Sequence, residues 1–359
     1  MDVLLKSLVN ILVFASVMSI LVIVHELGHL LAAKHYGVYC KEFAVGMGPK
    51  VFSYQSKKSE TEYSFRALPL GGFVAMAGEP GEEMFENVPF ERTINGIKPI
   101  KRLVIMLAGI TMNLILAFAV FFMIFQINGI VNEPPAIIAE VVEGYPAEKA
   151  GLQKGDEIIE MTFIDGTTIN PEVFSDIQVA IMSFEDNEII TKINRGGDIV
   201  ELTITPVLDT DSQNYVLGVH SESGSLEKVS VFKTMSYTGS FIVGMIGQIF
   251  MVLKWLVQGI GLNNVGGPVA IFKETSKVSA SGFDFLYFWN LIGSLSISLA
   301  VMNLLPIPVL DGGRALLTVV EMIIGRPIPE KIENSIMGFG LILILMLMAF
   351  FIFNDLKRL

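Results

Sequence analysis

The sequence predicts a polytopic α-helical membrane protein with four transmembrane helices, a membrane-associated β-hairpin or small sheet on the cytoplasmic side, and an extracytoplasmic α+β domain. The 359 residues are 52% hydrophobic and only 17% charged, and the mean hydropathy is +0.59, which is typical of integral membrane proteins. Long apolar runs alternate with polar stretches whose charges differ in sign. The net charge of −11 argues against nucleic-acid binding, and the single cysteine excludes an intrachain disulfide.

The first element is a spanning helix over residues 1–33, which contains His25-Glu26-Leu27-Gly28-His29. Its start resembles a signal peptide, but cleavage near residue 33 would remove both histidines, so we expect the helix to be retained. Residues four apart share a helix face, so His25 and His29 can bind one metal ion. Glu26 is placed beside them to take a proton from water. Such side chains are costly in a bilayer, which indicates a function.

Three further segments are predicted to span. Residues 103–128 and 285–310 carry no charge and are long enough to cross a bilayer, and residues 336–353 are shorter but wholly apolar. A fifth apolar stretch, Phe241–Leu262, contains two glutamines and a lysine. We place it in an amphipathic segment, 236–284, that lies on the membrane surface or dips in and returns.

Charge and parity predict the orientation. Residues 34–102 hold ten Lys and Arg, which places this loop in the cytoplasm, whereas residues 129–240 hold 19 acidic and six basic side chains and are expected outside. A third metal ligand must lie at the depth of the histidines, and the best candidate, Asp311, follows the 285–310 helix. That helix must then run inward from the outer side. If the fifth stretch also crossed the membrane, Asp311 would emerge on the outer side, so we expect that this stretch does not cross. Both termini are extracytoplasmic, and residues 311–335 form a cytoplasmic loop.

The two large loops are predicted to contain β structure. Apolar and polar residues alternate in parts of 42–54 and 63–74, which favours a hairpin or small sheet, whereas the polar residues 77–98 predict no element. Residues 134–220 are predicted to form the α+β domain, with a final strand over Tyr215–His220.

A run within this domain resembles the PDZ signature. Residues 146–159 combine a short helix, a glycine stop, a turn and a strand, and the resemblance covers roughly residues 134–206.

The end of the third span supplies the candidate third ligand. Two prolines between Asn303 and Asp311 break the helix where polar groups are needed. Asp311 either projects back towards the histidines or caps a following helix, Arg314–Ile324, and position alone leaves both alternatives open. Catalytic zinc usually has three protein ligands and one open position.

The motif at positions 25–29, together with Asn303, Pro306 and Asp311-Gly312, resembles the site-2 protease family of intramembrane zinc metalloproteases. The closest resemblance is to the bacterial branch that cleaves anti-sigma factors, the regulator of sigma factor protease type, here with one PDZ domain. Ile110 departs from the proline that the family often has there. The resemblance also covers the PDZ insertion and the segments Gly46–Pro49, Pro69–Phe73, Ala108–Asn113 and Gly266–Val269.

The resemblance implies that His25, His29 and Asp311 bind Zn²⁺ and that Glu26 is the catalytic base. It implies an endopeptidase that cleaves transmembrane segments of single-pass proteins, such as anti-sigma factors and remnant signal peptides, in regulated intramembrane proteolysis. An upstream site-1 protease would act on the same substrate, and the enzyme would lie in the bacterial cell (plasma or inner) membrane.

A transmembrane substrate hides its peptide bonds in its own hydrogen bonds and must unwind before cleavage. The glycine-rich strands offer an edge to which an extended substrate can add, although the sheet is alternatively only a cytoplasmic cover. Two asparagines in apolar helices hold the substrate backbone or the oxyanion, or else form interhelical hydrogen bonds. The candidate substrate-contacting residues are Asn303, Asn113, Gly46, Gly48, Gly71 and Gly72.

Alternatives remain for the domain and for the protein. The PDZ-like domain either binds a substrate's carboxyl terminus or excludes substrates with bulky outer domains, and the resemblance implies the second. A non-proteolytic receptor or scaffold with a structural metal is the principal alternative function. A metal transporter is the other, but no chain of ligands runs along several spans.

Overall fold

The protein divides into two compact units in a computed structural model. The helical unit comprises Met1–Ile124, Thr238–Ile246 and Gly266–Leu359, and the α+β unit comprises Phe125–Tyr237 and Gly247–Val265. The structure describes residues 2–57, 59–79, 88–131, 134–184, 186–209, 214–222, 224, 226–259, 266–279 and 282–357.

The described residues are mostly helical. The helices are α1 (Asp2–His35), α2 (Pro99–Asn128), α3 (Pro146–Lys149), α4 (Phe174–Phe184), α5 (Val231–Val257), α6 (Pro268–Lys277), α7 (Phe285–Leu304), α8 (Asp311–Ile324) and α9 (Glu330–Lys357). Five of them, α1, α2, α5, α7 and α9, are long and apolar enough to cross a membrane. This agrees with the predicted class of a polytopic helical membrane protein.

Several helix boundaries differ from the apolar runs. α8 begins at Asp311, ahead of the predicted Arg314, and α9 begins at Glu330, ahead of the predicted span 336–353. Polar helix formers such as Lys331 extend α9 beyond its apolar run. α5 begins before the predicted Phe241 and ends at Val257, and residues 260–262 of that prediction lie outside the described residues. Residues 80–87 of the segment predicted to lack elements also lie outside, and a short 3-10 turn, Phe90–Arg92, follows them.

α6 closes one end of the helical unit. Phe272 of α6 packs edge-on against Phe14 of α1, with the ring centroids 5.6 Å apart. Asp355, near the end of α9, accepts hydrogen bonds of 2.9 to 3.1 Å from the backbone N–H of Gly267 and from two N–H groups in the first turn of α6. This carboxylate satisfies N–H groups that a helix start leaves unpaired. The first half of α1 and the last turns of α9 therefore meet at this place, which we call the α6 end.

The α6 end fixes the directions of the other long helices of the unit. Val17 of α1, Val120 of α2 and Phe288 of α7 share one buried apolar cluster there. A second cluster, far along α1, joins its Leu30 to Ile105 near the start of α2. α1 and α7 therefore run away from the α6 end, and α2 and α9 run towards it.

A small sheet packs against α1. Its strands are β1 (Cys40–Gln55) and β2 (Glu62–Met76). Residues 42–45 pair with residues 72–75 on one side and lie against residues 62–65 on the other. Residues 62–65 pair in turn with residues 52–55. In the described part of the chain, residues 72–75 therefore form an edge of the sheet.

The α+β unit contains short strands around one larger sheet. The strands are β3 (Ile130–Val131), β4 (Glu140–Val141), β5 (Glu157–Phe163), β6 (Thr168–Ile169), β7 (Ile189–Arg195), β8 (Asp198–Ile204), β9 (Val207–Leu208), β10 (Tyr215–Val216), β11 (Val219–His220) and β12 (Leu226–Glu227). β6, β5, β7 and β8 form a four-stranded antiparallel sheet in that order. The strand predicted over residues 215–220 is interrupted at Gly218, whose φ of +80° favours glycine.

Aromatic side chains centre the core of this unit. Phe184 of α4 stacks on Phe163 of β5 at a centroid distance of 3.6 Å, and Trp255 meets Phe184 edge-on at 5.0 Å. Trp255, in the last turns of α5, is only 1% exposed. The end of α5 therefore belongs to the core of the α+β unit.

Candidate metal centre and active site

Three predicted ligands converge in the helical unit. Nε2 of His25 lies 3.0 Å from Oδ2 of Asp311, and Nε2 of His29 lies 3.3 Å from the same oxygen. The two Nε2 atoms are 3.2 Å apart. One ligand atom from each of these three residues lies within 4.8 Å of the other two, so together they could hold a metal ion.

The triangle has the size that zinc requires. Two nitrogen or oxygen ligands about 2.0–2.1 Å from zinc, at the tetrahedral angle, are about 3.3–3.4 Å apart. The observed separations of 3.0 to 3.3 Å are close to that value. The carbonyl oxygen of Ile105 lies 2.8 Å from Nδ1 of His29 and can only accept a hydrogen bond, so neutral His29 directs a lone pair from Nε2 towards Asp311. This lone pair and the carboxylate oxygen of Asp311 repel each other, and a cation between them removes the repulsion.

Glycines let α1 and α2 approach at this point. A Cβ atom on Gly109 would lie 2.4 Å from Nε2 of His29 and 2.8 Å from Nε2 of His25, and one on Gly28 would lie 2.4 Å from the carbonyl oxygen of Ala108. Any side chain at position 109 would fill the space in front of the ligand atoms. The residues present therefore fit a zinc ion, with α2 as the wall of its site.

The chain around Asp311 is packed to aim its side chain. Leu310 occupies the N-cap of α8 without a side-chain cap, and Asp311 is the first helical residue. A Cβ on Gly312 would lie 2.2 Å from the carbonyl oxygen of Leu304, and one on Gly313 would lie 2.1 Å from that of Ile307. The turn is so tight that only glycine fits at both positions. Leu310 therefore occupies the N-cap position of α8, and Asp311 directs its carboxylate towards the histidines instead of capping the helix.

Glu26 lies beside the triad. Its side chain is half-buried on α1, next to His25. It lies within electrostatic range of both imidazoles and of the Asp311 carboxylate. Two imidazoles, one ligand carboxylate and a second carboxylate nearby form the donor and base set of a catalytic zinc site.

The two candidate asparagines differ in position. Asn113 is fully buried on α2, and its side-chain amide nitrogen is 3.3 Å from Nδ1 of His25. Asn303 is half-buried in the last turn of α7, and its side chain makes no hydrogen bond within the described residues. The structure therefore brings Asn113 against the triad but does not pair Asn303 with it.

The four candidate glycines shape the sheet beside α1. Gly46, Gly48 and Gly71 have φ values of +90°, +82° and +79°, where other residues are strained. A Cβ on Gly72 would lie 2.7 Å from the carbonyl oxygen of Ala44 and 3.3 Å from the side chain of Val22, which is three residues before His25. The edge at residues 72–75 therefore runs along α1 close to the candidate metal site.

Sequence reasoning did not single out the roles of Gly109 and Ile105. Both lie on α2, and their importance comes from the way α2 faces α1. A glycine in an otherwise apolar spanning helix is a signal of close helix packing, but it does not identify the helix that approaches. The ion pairs Arg314–Glu79 and Arg102–Glu321, which involve residues of α8, were also not predicted from the sequence.

Comparisons with known proteins agree with this geometry. The family model described as peptidase family M50 matches residues 13–347. A Clostridium perfringens protein is 35% identical over 339 residues, covering 94% of this chain and 95% of its own length. Proteins of Clostridium acetobutylicum and Fusobacterium nucleatum are each 33% identical, covering 96% and 97% of this chain and 96% and 98% of their own.

Each of these relatives bears the name "putative zinc metalloprotease". The match covers nearly the whole chain, including both segments that carry the candidate metal-binding triad. Together with the apolar helices, it identifies a multi-pass membrane zinc metalloprotease. This chain belongs to peptidase family M50, the site-2 protease family.

Proposed function

We propose that this metalloprotease cleaves transmembrane segments of single-pass membrane proteins within the bilayer. The observation that carries the proposal is the position of the triad: His25 and His29 are 7% and 6% exposed on an apolar helix long enough to span. A water-soluble substrate would have no need of a site on such a helix. Sites buried in a membrane helix are costly and mark function.

The residues divide the chemistry between them. His25, His29 and Asp311 would hold zinc, which when bound polarises the scissile carbonyl and makes water a stronger acid. Glu26 accepts the proton of the attacking water and delivers it to the leaving amine. Asn303, half-buried in the last turn of α7, is our candidate for holding the substrate backbone or the oxyanion.

The sheet edge at residues 72–75 is our candidate for receiving the substrate. An unwound segment that pairs with this edge regains hydrogen bonds lost from its own helix. Its backbone would then lie along α1 near the triad, because Gly72 is in contact range of Val22. Pairing through the backbone explains tolerance of varied substrate sequences. A sheet that only covers the site would not need an open edge.

We propose four spans, α1, α2, α7 and α9, with the loop that contains β1 and β2 in the cytoplasm and both termini outside. Ten Lys and Arg in residues 34–102 support this orientation. α5 does not complete a crossing: Phe241 meets Phe121, near the outer end of α2, at 4.9 Å, and the following helix α6 lies at the same end. A single crossing in between would place α6 on the other side.

The α+β unit is proposed to be a PDZ-like extracytoplasmic domain that excludes substrates with bulky outer domains. One observation favours peptide binding instead: a largely apolar groove of about 500 Å³ runs between α4 and residues 215–220. Titration of the whole enzyme with free carboxyl-terminal peptides separates the alternatives. Saturable binding that Met182→Glu, at an exposed position lining the groove, removes would support peptide recognition, and its absence supports the filter.

The proposed setting is regulated intramembrane proteolysis in the bacterial plasma or inner membrane. Substrates would be anti-sigma factors and remnant signal peptides, first trimmed by a site-1 protease. The bacterial relatives and the proposed filter support this setting, and no feature favours nucleic acid as a partner.

Glu26→Gln tests the function directly. The variant should bind one zinc ion per chain and lose cleavage of a membrane-inserted single-pass substrate, because it lacks the base. Mass spectrometry of membrane peptides held by the variant would identify natural substrates. A scaffold with a structural metal would be indifferent to this change, so cleavage-dependent phenotypes that persist in the variant would contradict the proposal.

A further inference from the structure

The two histidines of the triad use their second ring nitrogens differently. Nδ1 of His29 is 2.8 Å from the backbone carbonyl of Ile105. Since a carbonyl only accepts, this contact keeps the proton on Nδ1 and leaves Nε2 free to bind a metal. Backbone geometry, which no side-chain substitution removes, thus sets the orientation of His29.

His25 faces a side chain instead. Its Nδ1 is 3.3 Å from the amide of Asn113. Ile105, Gly109 and Asn113 are spaced by four residues and are all buried, so they form one stripe along α2 that faces the histidines. Asn113 holds the same place relative to His25 that the carbonyl of Ile105 holds relative to His29.

Asn113 is not placed like a substrate contact. Its side chain is 0% exposed, and it meets His25 at Nδ1, whereas Asp311 meets the same ring at Nε2. Its Oδ1 is buried without a hydrogen-bond partner among the described residues. A side-chain amide can face a neighbour with either its nitrogen or its oxygen. A half-turn of the Asn113 amide about the Cβ–Cγ bond would direct Oδ1 towards a proton on Nδ1 of His25.

We propose that Asn113 is a positioning residue that accepts a hydrogen bond from Nδ1–H of His25 and so directs Nε2 towards the metal. The half-turn gives the unpartnered oxygen a donor and fixes the tautomer that metal binding needs. The inference rests on the proposed function and assigns Asn113 to the metal site, in place of the substrate or oxyanion role.

The test compares three variants of the full-length enzyme in detergent. Asn113→Leu keeps the branched shape and the number of heavy atoms but removes the acceptor, whereas Asn113→Asp keeps an acceptor oxygen. Ser296→Ala is the matched control, because the Ser296 hydroxyl donates to the backbone carbonyl of Asn113 at 2.8 Å and is equally buried. It disturbs the same helix contact without touching the imidazole.

Zinc affinity, measured by competition with a chelator, is the main readout. Asn113→Leu should lose about 10–100-fold in affinity, as is usual for partners of metal-ligating histidines. Asn113→Asp should bind zinc at least as tightly as the wild type, and Ser296→Ala should be unchanged. The visible spectrum of the cobalt-substituted protein should shift in Asn113→Leu alone.

Two results would overturn the inference. The first is Asn113→Leu with wild-type zinc affinity, and a lowered kcat would then place Asn113 at the transition state. The second is an Asn113→Asp variant that folds and binds zinc about 10-fold or more weakly than the wild type, which decides the matter even if the leucine variant does not fold. Failure of the proposed function looks different, since the wild-type enzyme would then bind no zinc or cleave no membrane substrate.

Discussion

At the scale of single residues, the missing side chain at position 109 keeps the space for a metal open. We predict that Gly109→Ala loses zinc, because its methyl carbon would lie 2.4 Å from Nε2 of His29. Zinc content after dialysis measures this. Gly338→Ala is the control, since a Cβ at this glycine of the apolar helix α9 has no described neighbour within 4 Å. Equal zinc in the two variants would contradict the assigned site.

A second residue-scale prediction concerns acid stability of the α+β unit. Asp156 is 1% exposed and accepts two hydrogen bonds of 2.8 Å from Arg195 and one from the N–H of Gln153. Burial alone would raise the pKa of Asp156, but these donors outweigh it and lower the pKa. The stabilisation is therefore full above the unfolded pKa, about 3.9, and is lost as the pH falls through the lower folded value.

Asp156→Asn should make the unit less stable at pH 7 and flatten its pH dependence below about 4. Near-ultraviolet circular dichroism of the core around Trp255 measures its unfolding. Asp198→Asn, at the start of β8, is a control outside the ion pair. If Asp156→Asn kept the wild-type stability at pH 7, the Asp156–Arg195 ion pair would not contribute to the stability of the unit.

At the scale of elements, the edge of β2 carries the clearest prediction. Proline cannot donate a backbone hydrogen bond, so Phe73→Pro and Val74→Pro should abolish or strongly reduce cleavage while zinc stays bound. Ser53→Pro, on the opposite edge of the sheet, should cleave normally. Parallel assays of zinc content and of a membrane-inserted substrate decide this. Normal cleavage by both edge variants would leave the sheet as a cover only.

Helix α8 is held along one polar stripe. Asp311, Arg314, Thr318 and Glu321 follow helical spacing, and Arg314 pairs with Glu79 just after β2. We predict that Arg314→Glu destabilises the enzyme by about 2 kcal/mol, between the values for exposed and buried pairs. Adding Glu79→Arg should recover most of this loss. Thermal unfolding in detergent measures both, and a double variant no better than the single one would contradict the pairing.

The elements show why prediction from sequence was uneven. The long helices followed from apolar runs, and the sheet from alternation in residues 42–54 and 63–74. The identity of its edge did not follow, because residues 42–45 lie between two parts of the same strand β2. Such a register depends on long-range pairing that local alternation does not encode. The helical motif indicated the candidate metal ligands on α1, but the stripe on α2 that faces them depends on the rotation of a second helix.

At the scale of the whole molecule, the proposed four-span arrangement predicts which positions meet each side of the membrane. Cys40 is the only cysteine, so Cys40→Ser gives a background for single-cysteine labelling. In cells, an impermeant maleimide should label Cys introduced at Lys154 and at Gly259 from outside. Cys at Lys57, in the turn between β1 and β2, should react only after permeabilisation. Protection of position 259 in intact cells would mean that α5 crosses.

The capping of α6 by Asp355 has a consequence for biosynthesis. The Asp355 carboxylate is synthesised 85 to 88 residues after the N–H groups that it accepts from, and the helix that it stabilises packs against the first half of α1. While the chain is being translated, the start of α6 therefore lacks its acceptor until α9 has been made, so this end of the bundle closes late. Stop codons shortly before position 355 should yield chains whose α6 end stays open and that quality-control proteases degrade.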